Sequence, residues 1–458
     1  MTRERHTDTA GRVIVLDVVG LEPDHIDENL APNIAALLDG NPTAPLDPPF
    51  PAVTLPAQTT LATGQSPATH GDVANGEYDR ATDSVALWER DRGDRNRIWE
   101  AVSDETDLTT GSLFFQHLIG SSADVAVTPS PIEDEDNNLL EMNCWTNPDD
   151  FYETLEAEYG HFPLHNYWGP TANEQSSEWI LSAARESIKR HDPDLLWVYL
   201  PHLDYDGQRH GPDSPELRDA IGVIDELVGE FLDWLRNRER WEETAVHVVS
   251  EYGFHAVDTP IFPNRALREA GLLSVTEGRE GGEAVDLPGS KAFTMVDHQV
   301  AHVYTDDATE QARDALADLE GVERVLTGEA RAEYGLDHPN SGDLVLVPEQ
   351  SGWFQYYWWA EDDDAPYYAT EMDIHEKPGY DPCSLFFGDD GLVTLDASKM
   401  GGSHGRTDVS GVYGIGGPAA PEGTLDSVDA RAVAPTIVET LGVADAISLS
   451  FEIPAAFE

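Results

Sequence analysis

The chain has 458 residues, 40% of them hydrophobic, and 27 lysines and arginines face 87 aspartates and glutamates, a net charge of −60. A surface this acidic repels nucleic-acid phosphates and anionic membranes, which excludes a general nucleic-acid-binding role and a membrane-surface role. Cys144 and Cys383, the only cysteines, make neither a disulfide framework nor a thiolate metal site, and no apolar run approaches the roughly 18 residues of a membrane span.

The first predicted element is "RVIVLDVVG" (12–20), with β-branched residues on both faces, the pattern of a central parallel strand covered on two sides. Asp17 sits near its C-terminal end, where a carboxylate among apolar neighbours calls for a compensating partner. "VTLPAQTTLATG" reads as a short helix, with Thr54 suited to the N-cap, Pro56 to the first turn and Gly64 to a left-handed end. Asn75 lies beyond it in "VANGEYD". A helix from about Ser176 to Arg190 then leads to a strand at Leu195–Leu200 and to "HLDYDGQRHGP", which carries Asp204. A long amphipathic helix, "PELRDAIGVIDELVGEFLDWLRNRERW", precedes a buried strand ending at Ser250, just before Glu251. This alternation predicts a parallel α/β sheet with helices on both faces. Ligands of such sheets bind beyond the carboxyl ends of the strands. Asp17, Asp204 and Glu251 all fall at or just past such ends, and carboxylates gathered there repel one another unless cations lie between them.

From about Phe262 to Gly391 the rhythm changes. "AFTMVDHQVAHVYTDDATEQARDALADLEGVERVLTGEA" reads as strand, helix, strand, a small α+β insertion, and "WFQYYWWAEDDDAPYY" reads as a lid or covering loop. "GGSHGRTD" with His404, the strand "SGVYGIGGP" and the helix "DARAVAPTIVETLGV" return to the main domain. The expected organisation is therefore a core of residues 1–260 and 391–458 with an insertion or lid at 261–390. The carboxylates are interleaved with Trp, Tyr, Val and Leu rather than collected in a tail, which marks a folded chain. At molar salt the Debye length is about 3 Å and self-repulsion is screened, so the charge reads as adaptation to a salt-rich cytoplasm. The start of the chain lacks the apolar stretch of a secretory signal, and the expected location is cytoplasmic.

Carboxylate and imidazole groups collected at strand ends, with a hydroxyl at a helix N-terminus, form the pattern of a two-metal hydrolytic site. Two ions about 3.5–4 Å apart activate the hydroxyl and clamp a phosphoryl oxygen, and the helix end offers N–H groups to an anion. On "LDVVG", "VTLP", "VANGEYD", "DYDGQRHGP", "SEYG" and "GGSHG" the chain resembles the alkaline phosphatase superfamily, specifically its nucleotide pyrophosphatase/phosphodiesterase branch, from Val13 to about Leu441. The resemblance implies an alkaline-phosphatase-like α/β sandwich with a largely parallel central sheet. It also implies a metal-dependent phosphodiesterase acting on a small phosphate ester, a nucleotide among them, through a phosphothreonine. On this resemblance Thr54 is the nucleophile, Asn75 contacts the phosphoryl oxygen, and Asp17, Asp204 and His404 are metal ligands.

The chain departs from the family pattern where Gln208 replaces a histidine, Glu251 an aspartate and Tyr252 a histidine. The expected ligand sets are then Asp17, Thr54 and Glu251, with Tyr252 or His255 beside them, and Asp204 and His404 with Gln208 or His210. Two divalent ions are implied. The oxygen-rich donors shift preference from Zn toward Mn, Fe or Mg. His298, His375 and Lys377 are substrate-side candidates. A phosphomonoesterase or phosphonate hydrolase on the same fold is the alternative enzyme, for which Lys377 and Arg406 would supply extra cationic donors. A ligand-binding relative with an altered metal site is the alternative outside catalysis. Each residue also has a plainer reading: Thr54 as a helix cap, His202, His298, His302 and His375 as loop or core histidines, and Trp353–Trp359 as core rather than a stacking surface for a base.

Overall fold

The computed structural model describes residues 9–87, 96–134, 137–373, 375–389 and 391–457. The apolar first strand forms as expected and is β1 (Arg12–Val18), buried along its whole length. It is followed by β2 (Thr43–Asp47), α1 (Thr54–Thr63), β3 (Thr110–Leu113), β4 (Val125–Pro129), β5 (Cys144–Asn147), α2 (Gln175–His191), β6 (Leu195–Leu200), α3 (His202–His210), α4 (Pro215–Arg236) and β7 (Thr244–Val249). The next stretch holds β8 (Ala292–Asp297), β9 (Val300–Thr305), α5 (Thr309–Leu316), β10 (Val322–Leu326) and β11 (Leu344–Pro348). The chain then contributes β12 (Gly411–Gly416), β13 (Val428–Asp429) and α6 (Val433–Thr440).

The central sheet has nine strands in the order β13–β2–β12–β7–β1–β6–β3–β4–β5. Its middle is parallel, with β7, β1, β6, β3 and β4 running together, while β12 and β5 pair antiparallel at the flanks. Every residue of β1, β6 and β7 is buried, as expected of strands covered by helices on both faces. Parallel registration puts the carboxyl ends of these strands along one edge. There Asp17 lies beside Tyr199 of β6 and Val249 of β7, and Glu251 comes two residues beyond Val249.

Two local features differ from the expected strand-end loops. "HLDYDGQRH" is the helix α3, so Asp204 sits in a first helical turn and Gln208 lies four residues on, over the same face. The loop carrying His404 packs against that helix so closely that a Cβ at Gly402 would come within 2.2 Å of the Gly207 carbonyl oxygen. Those glycines admit neighbouring backbone.

"AFTMVDHQVAHVY" forms a hairpin rather than a single strand. β8 and β9 pair antiparallel across a turn at His298 and Gln299, and the small sheet runs β8–β9–β11–β10. His298 has φ 55°, a left-handed backbone uncommon outside glycine, for which asparagine, aspartate and histidine are the enriched exceptions. The aromatic stretch adopts its plainer reading: Tyr356, Tyr357, Trp358 and Trp359 are buried in a second hydrophobic cluster with Phe293, Val303 and Leu346. Among the described residues no helix is long and apolar enough to cross a membrane.

Candidate active site

Thr54 opens α1 but does not cap it. Val53 takes the cap position without a side-chain hydrogen bond, and the Thr54 hydroxyl instead lies 3.0 Å from the Tyr252 hydroxyl. Tyr252 donates to Asp204 Oδ1 at 3.4 Å. Its single hydrogen is therefore committed, and the bond between the two hydroxyls runs from Thr54 to Tyr252. Burial, with the charges of Asp204 and Glu251, holds the Tyr252 phenol well above its ordinary range and keeps it protonated.

The first turn of α1 offers fewer donors to an anion than a free helix end. Leu55 N–H donates to Asn75 Oδ1 at 2.8 Å, Pro56 has none, and Ala57 N–H donates to the Val53 carbonyl. Asn75 is itself fixed from the end of β8. Its backbone N–H donates to Asp297 Oδ2 at 2.6 Å and its amide to Asp297 Oδ1 at 3.0 Å. One amide hydrogen of Asn75 remains for a ligand.

Asp17 and Glu251 are fully buried, and none of their four carboxylate oxygens has a hydrogen-bond partner. The Gln58 amide and the Trp197 indole flank them without closing a bond, since Gln58 Nε2 and Trp197 Nε1 are unpartnered too. Burial raises the Asp17 carboxyl, and burial together with the Asp17 charge raises Glu251 well above the ordinary carboxylate range. A divalent cation between them would remove that cost, so this end of the site fits the metal implied by the family.

Asp204 is surrounded differently. Gln208 Nε2 donates to its Oδ2 at 2.6 Å, and the Tyr380 hydroxyl donates to Gln208 Oε1 at 2.9 Å. His404 Nε2 lies 3.3 Å from Asp204 Oδ1, while His404 Nδ1 is tied to the Ala52 carbonyl at 2.8 Å. Four rings stack in a column above this cluster: Tyr252 on His404 at 3.8 Å between centroids, His404 on His298 at 3.9 Å, and His298 on Tyr380 at 3.9 Å. His298 Nδ1 donates to Asp297 Oδ1 at 2.7 Å, and its buried Nε2 has no partner. Burial and the neighbouring His404 hold the His298 imidazole below its ordinary range. Among the described residues no three His, Cys, Asp or Glu groups meet in a metal-holding cluster.

The structure thus gathers Thr54, Asn75, Asp204, Gln208, Tyr252, His298 and His404 into one set of contacts, with the unpartnered carboxylates of Asp17 and Glu251 beside it. Other candidates stand apart. His210 is exposed at the end of α3, six residues and a different helix face from Asp204. His255 pairs with Asp408 at 3.3 Å. His375 Nε2 lies 3.0 Å from Glu133 Oε2. Lys377 is buried and bonded to Asp381 and to Ser384, each at 2.8 Å, with the Ala369 carbonyl at 3.5 Å. No hydrogen of Lys377 is left for a ligand, because an internal carboxylate has claimed the cation. Asp297 and Gln58 join the site without any distinct signal in the sequence: Asp297 is one of 87 acidic residues.

Residues 13–381 match the type I phosphodiesterase / nucleotide pyrophosphatase family. The chain belongs to that family. It is 26% identical over 242 residues to an uncharacterised pyrophosphatase/phosphodiesterase of Schizosaccharomyces pombe, covering 53% of this chain and 44% of that protein. It is 25% identical over 276 residues to human ectonucleotide pyrophosphatase/phosphodiesterase family member 7, covering 54% of this chain and 53% of that protein. The chain spans about half the length of the curated relatives it matches. Murine ectonucleotide pyrophosphatase/phosphodiesterase 5 superposes with a TM-score of 0.61 at 15% identity, over 95% of this chain and 100% of that one. The human counterpart gives 0.62 at 14%. The family's alkaline-phosphatase-like α/β fold is therefore the fold of this chain.

Proposed function

We propose that the protein is a metal-dependent phosphodiesterase of the nucleotide pyrophosphatase type that works through a phosphothreonine. The observation that carries this reading is the hydroxyl of Thr54, which the fold withholds from helix capping and aims at Tyr252. In the first step Thr54 Oγ1 bonds to phosphorus as the bond from phosphorus to the ester oxygen breaks, the Thr54 proton passes to Tyr252 while the Tyr252 proton passes to Asp204, and the departing oxygen takes a proton from water to leave as an alcohol. In the second step the hydroxide left by that water attacks phosphorus, the Thr54–phosphate bond breaks, and Thr54 Oγ1 takes its proton back from Asp204 through Tyr252. Asn75 holds a non-bridging oxygen with its remaining amide hydrogen, where charge grows during displacement. Asp17, Glu251 and Thr54 would hold a divalent cation, which supplies Lewis-acid stabilisation of oxygen charge.

Two cations that a dianionic monoester would need are already engaged. Lys377 is bonded to Asp381, and Arg406 pairs with Glu323 at 2.6 Å and Asp408 at 3.0 Å. This supports a singly charged diester over a monoester. A structure of the murine relative, described as an inactive form in complex with AMP, supports a small nucleotide as the substrate class. The net charge of −60 supports work in a salt-rich cytoplasm, and the separate hydrophobic clusters support a core of residues 1–260 and 391–458 carrying a 261–390 insertion.

The test is hydrolysis of an aryl phosphodiester and an aryl phosphomonoester at molar KCl, with Mn, Zn, Mg or a chelator, for wild type and Thr54→Ala. Metal-dependent diester turnover that Thr54→Ala abolishes is expected. Folded wild type without turnover under any condition would leave the ligand-binding alternative in its place.

A further inference from the structure

We propose that this site binds one divalent cation rather than the pair implied by the family, and that Gln208 and Tyr252 close the second position with hydrogens. The inference rests on the assignment of Asp17, Thr54 and Glu251 to a metal. It is carried by an asymmetry between two groups of carboxylates at the same end of the sheet.

Asp17 and Glu251 bring two carboxylates into a fully buried place and meet no donor at hydrogen-bond distance. The Gln58 amide and the Trp197 indole that flank them are neutral, and the amide of Gln58 is turned by the Gln116 N–H, which donates to its Oε1 at 2.8 Å. Two uncompensated carboxylates match the charge and the hard oxygen preference of a cation such as Mn²⁺ or Mg²⁺.

Asp204 has its compensation built in. One oxygen accepts the Gln208 amide hydrogen at 2.6 Å, and the other accepts the Tyr252 hydroxyl and faces His404 Nε2. Tyr380 fixes which way the Gln208 amide points, because its hydroxyl donates to Oε1. Turning the amide over would set two acceptor oxygens against each other at the distance now bridged by a hydrogen. Around Asp204, therefore, the Gln208 N–H and the Tyr252 O–H stand where a second ion would require lone pairs, and His404 Nε2, unprotonated because Nδ1 donates to the Ala52 carbonyl, is the one lone pair left there. Gln208 stands where the family pattern has a histidine of the Asp204 set, and Tyr252, which replaces a histidine of the Asp17 set, turns its hydrogen to Asp204 instead.

The experiment is elemental analysis of chelator-stripped protein re-equilibrated with Mn²⁺ at molar KCl and desalted, with circular dichroism to establish folding. Wild type should retain one Mn per chain. Asp17→Asn and Glu251→Gln, both close in shape to the residues they replace, should each retain none. Asp204→Asn should keep one, and Gln208→His, which exchanges the amide for an imidazole, should gain a second. Two ions in wild type would overturn the proposal, as would none, which would mean that Asp17 and Glu251 share a proton instead. One ion kept by Asp17→Asn and lost by Asp204→Asn would overturn the placement, and a single ion in Gln208→His would overturn the role given to the amide. One ion without phosphodiester turnover would sink the hydrolase reading and leave this inference standing.

Discussion

Tyr252 differs from the histidine of the family pattern in what it can do with a proton. A buried phenol held far above its ordinary range stays neutral, so at neutral pH it passes hydrogen bonds rather than lone pairs. Its contribution to Thr54 is orientation: it gives the nucleophile an acceptor and hands its own hydrogen to Asp204. Tyr252→Phe keeps the ring on His404 and removes that acceptor. We expect kcat on an aryl diester to fall about tenfold, the equivalent of about 1.4 kcal/mol, with KM nearly unchanged; a loss confined to KM would contradict an orienting role. At this scale the sequence was informative wherever a residue sits in a short motif, as with Asp17, Thr54 and Glu251. It was silent on Asp297, which reaches Asn75 from a different part of the chain and resembles any other strand-end aspartate.

The elements were legible where burial is uniform and lost where polar residues form regular structure. Strand β6 occupies Leu195–Leu200 as its apolar run indicates, and α2 extends only one residue past each end of the expected helix. The helix α3 went unseen because "HLDYDGQRH" has no apolar stripe and gains its order from tertiary bonds. The β8–β9 hairpin went unseen because its turn uses His298 in a left-handed conformation in place of the usual glycine or asparagine. The same hairpin leads into β9, whose His302 ties the strand to two loops, donating from Nε2 to the Val73 carbonyl at 3.0 Å and accepting from Gly342 N–H at 3.1 Å. Burial pushes this imidazole down to about 4. The unfolded chain takes up the proton near pH 6.5 while the folded one resists it. The stability due to neutral His302 is therefore full above about pH 6.5 and is lost as pH falls toward 4, at up to about 1.4 kcal/mol per pH unit. In urea titrations at molar KCl, His302→Gln should cost most at pH 7 and progressively less at pH 5.5 and 4.5. Parallel curves for mutant and wild type would refute the assignment. His247, pushed down to about 3 by burial beside Tyr413, keeps part of the acid slope in either protein.

For the whole molecule, the strand–helix alternation was enough to reveal a parallel sheet, but not the antiparallel strands β12 and β5 that flank it, since pairing direction leaves no mark on such short runs. The net charge of −60 acts at this scale too. Raising KCl from 0.1 M to 1 M shortens the Debye length from about 10 Å to about 3 Å, and the thermal midpoint should climb steeply over that interval. A midpoint indifferent to KCl would mean that the acidity serves some purpose other than tolerance of salt. The column of four rings has a consequence for how this protein can change over generations. Tyr252 and His404 come from the segments that adjoin the central sheet, His298 from the β8–β9 turn and Tyr380 from the chain beyond the small sheet. A substitution on either side alters the surface offered to the other. Grafting the insertion of a relative onto this core would then break the site even if both pieces folded, and the two segments should drift in sequence only as a matched pair.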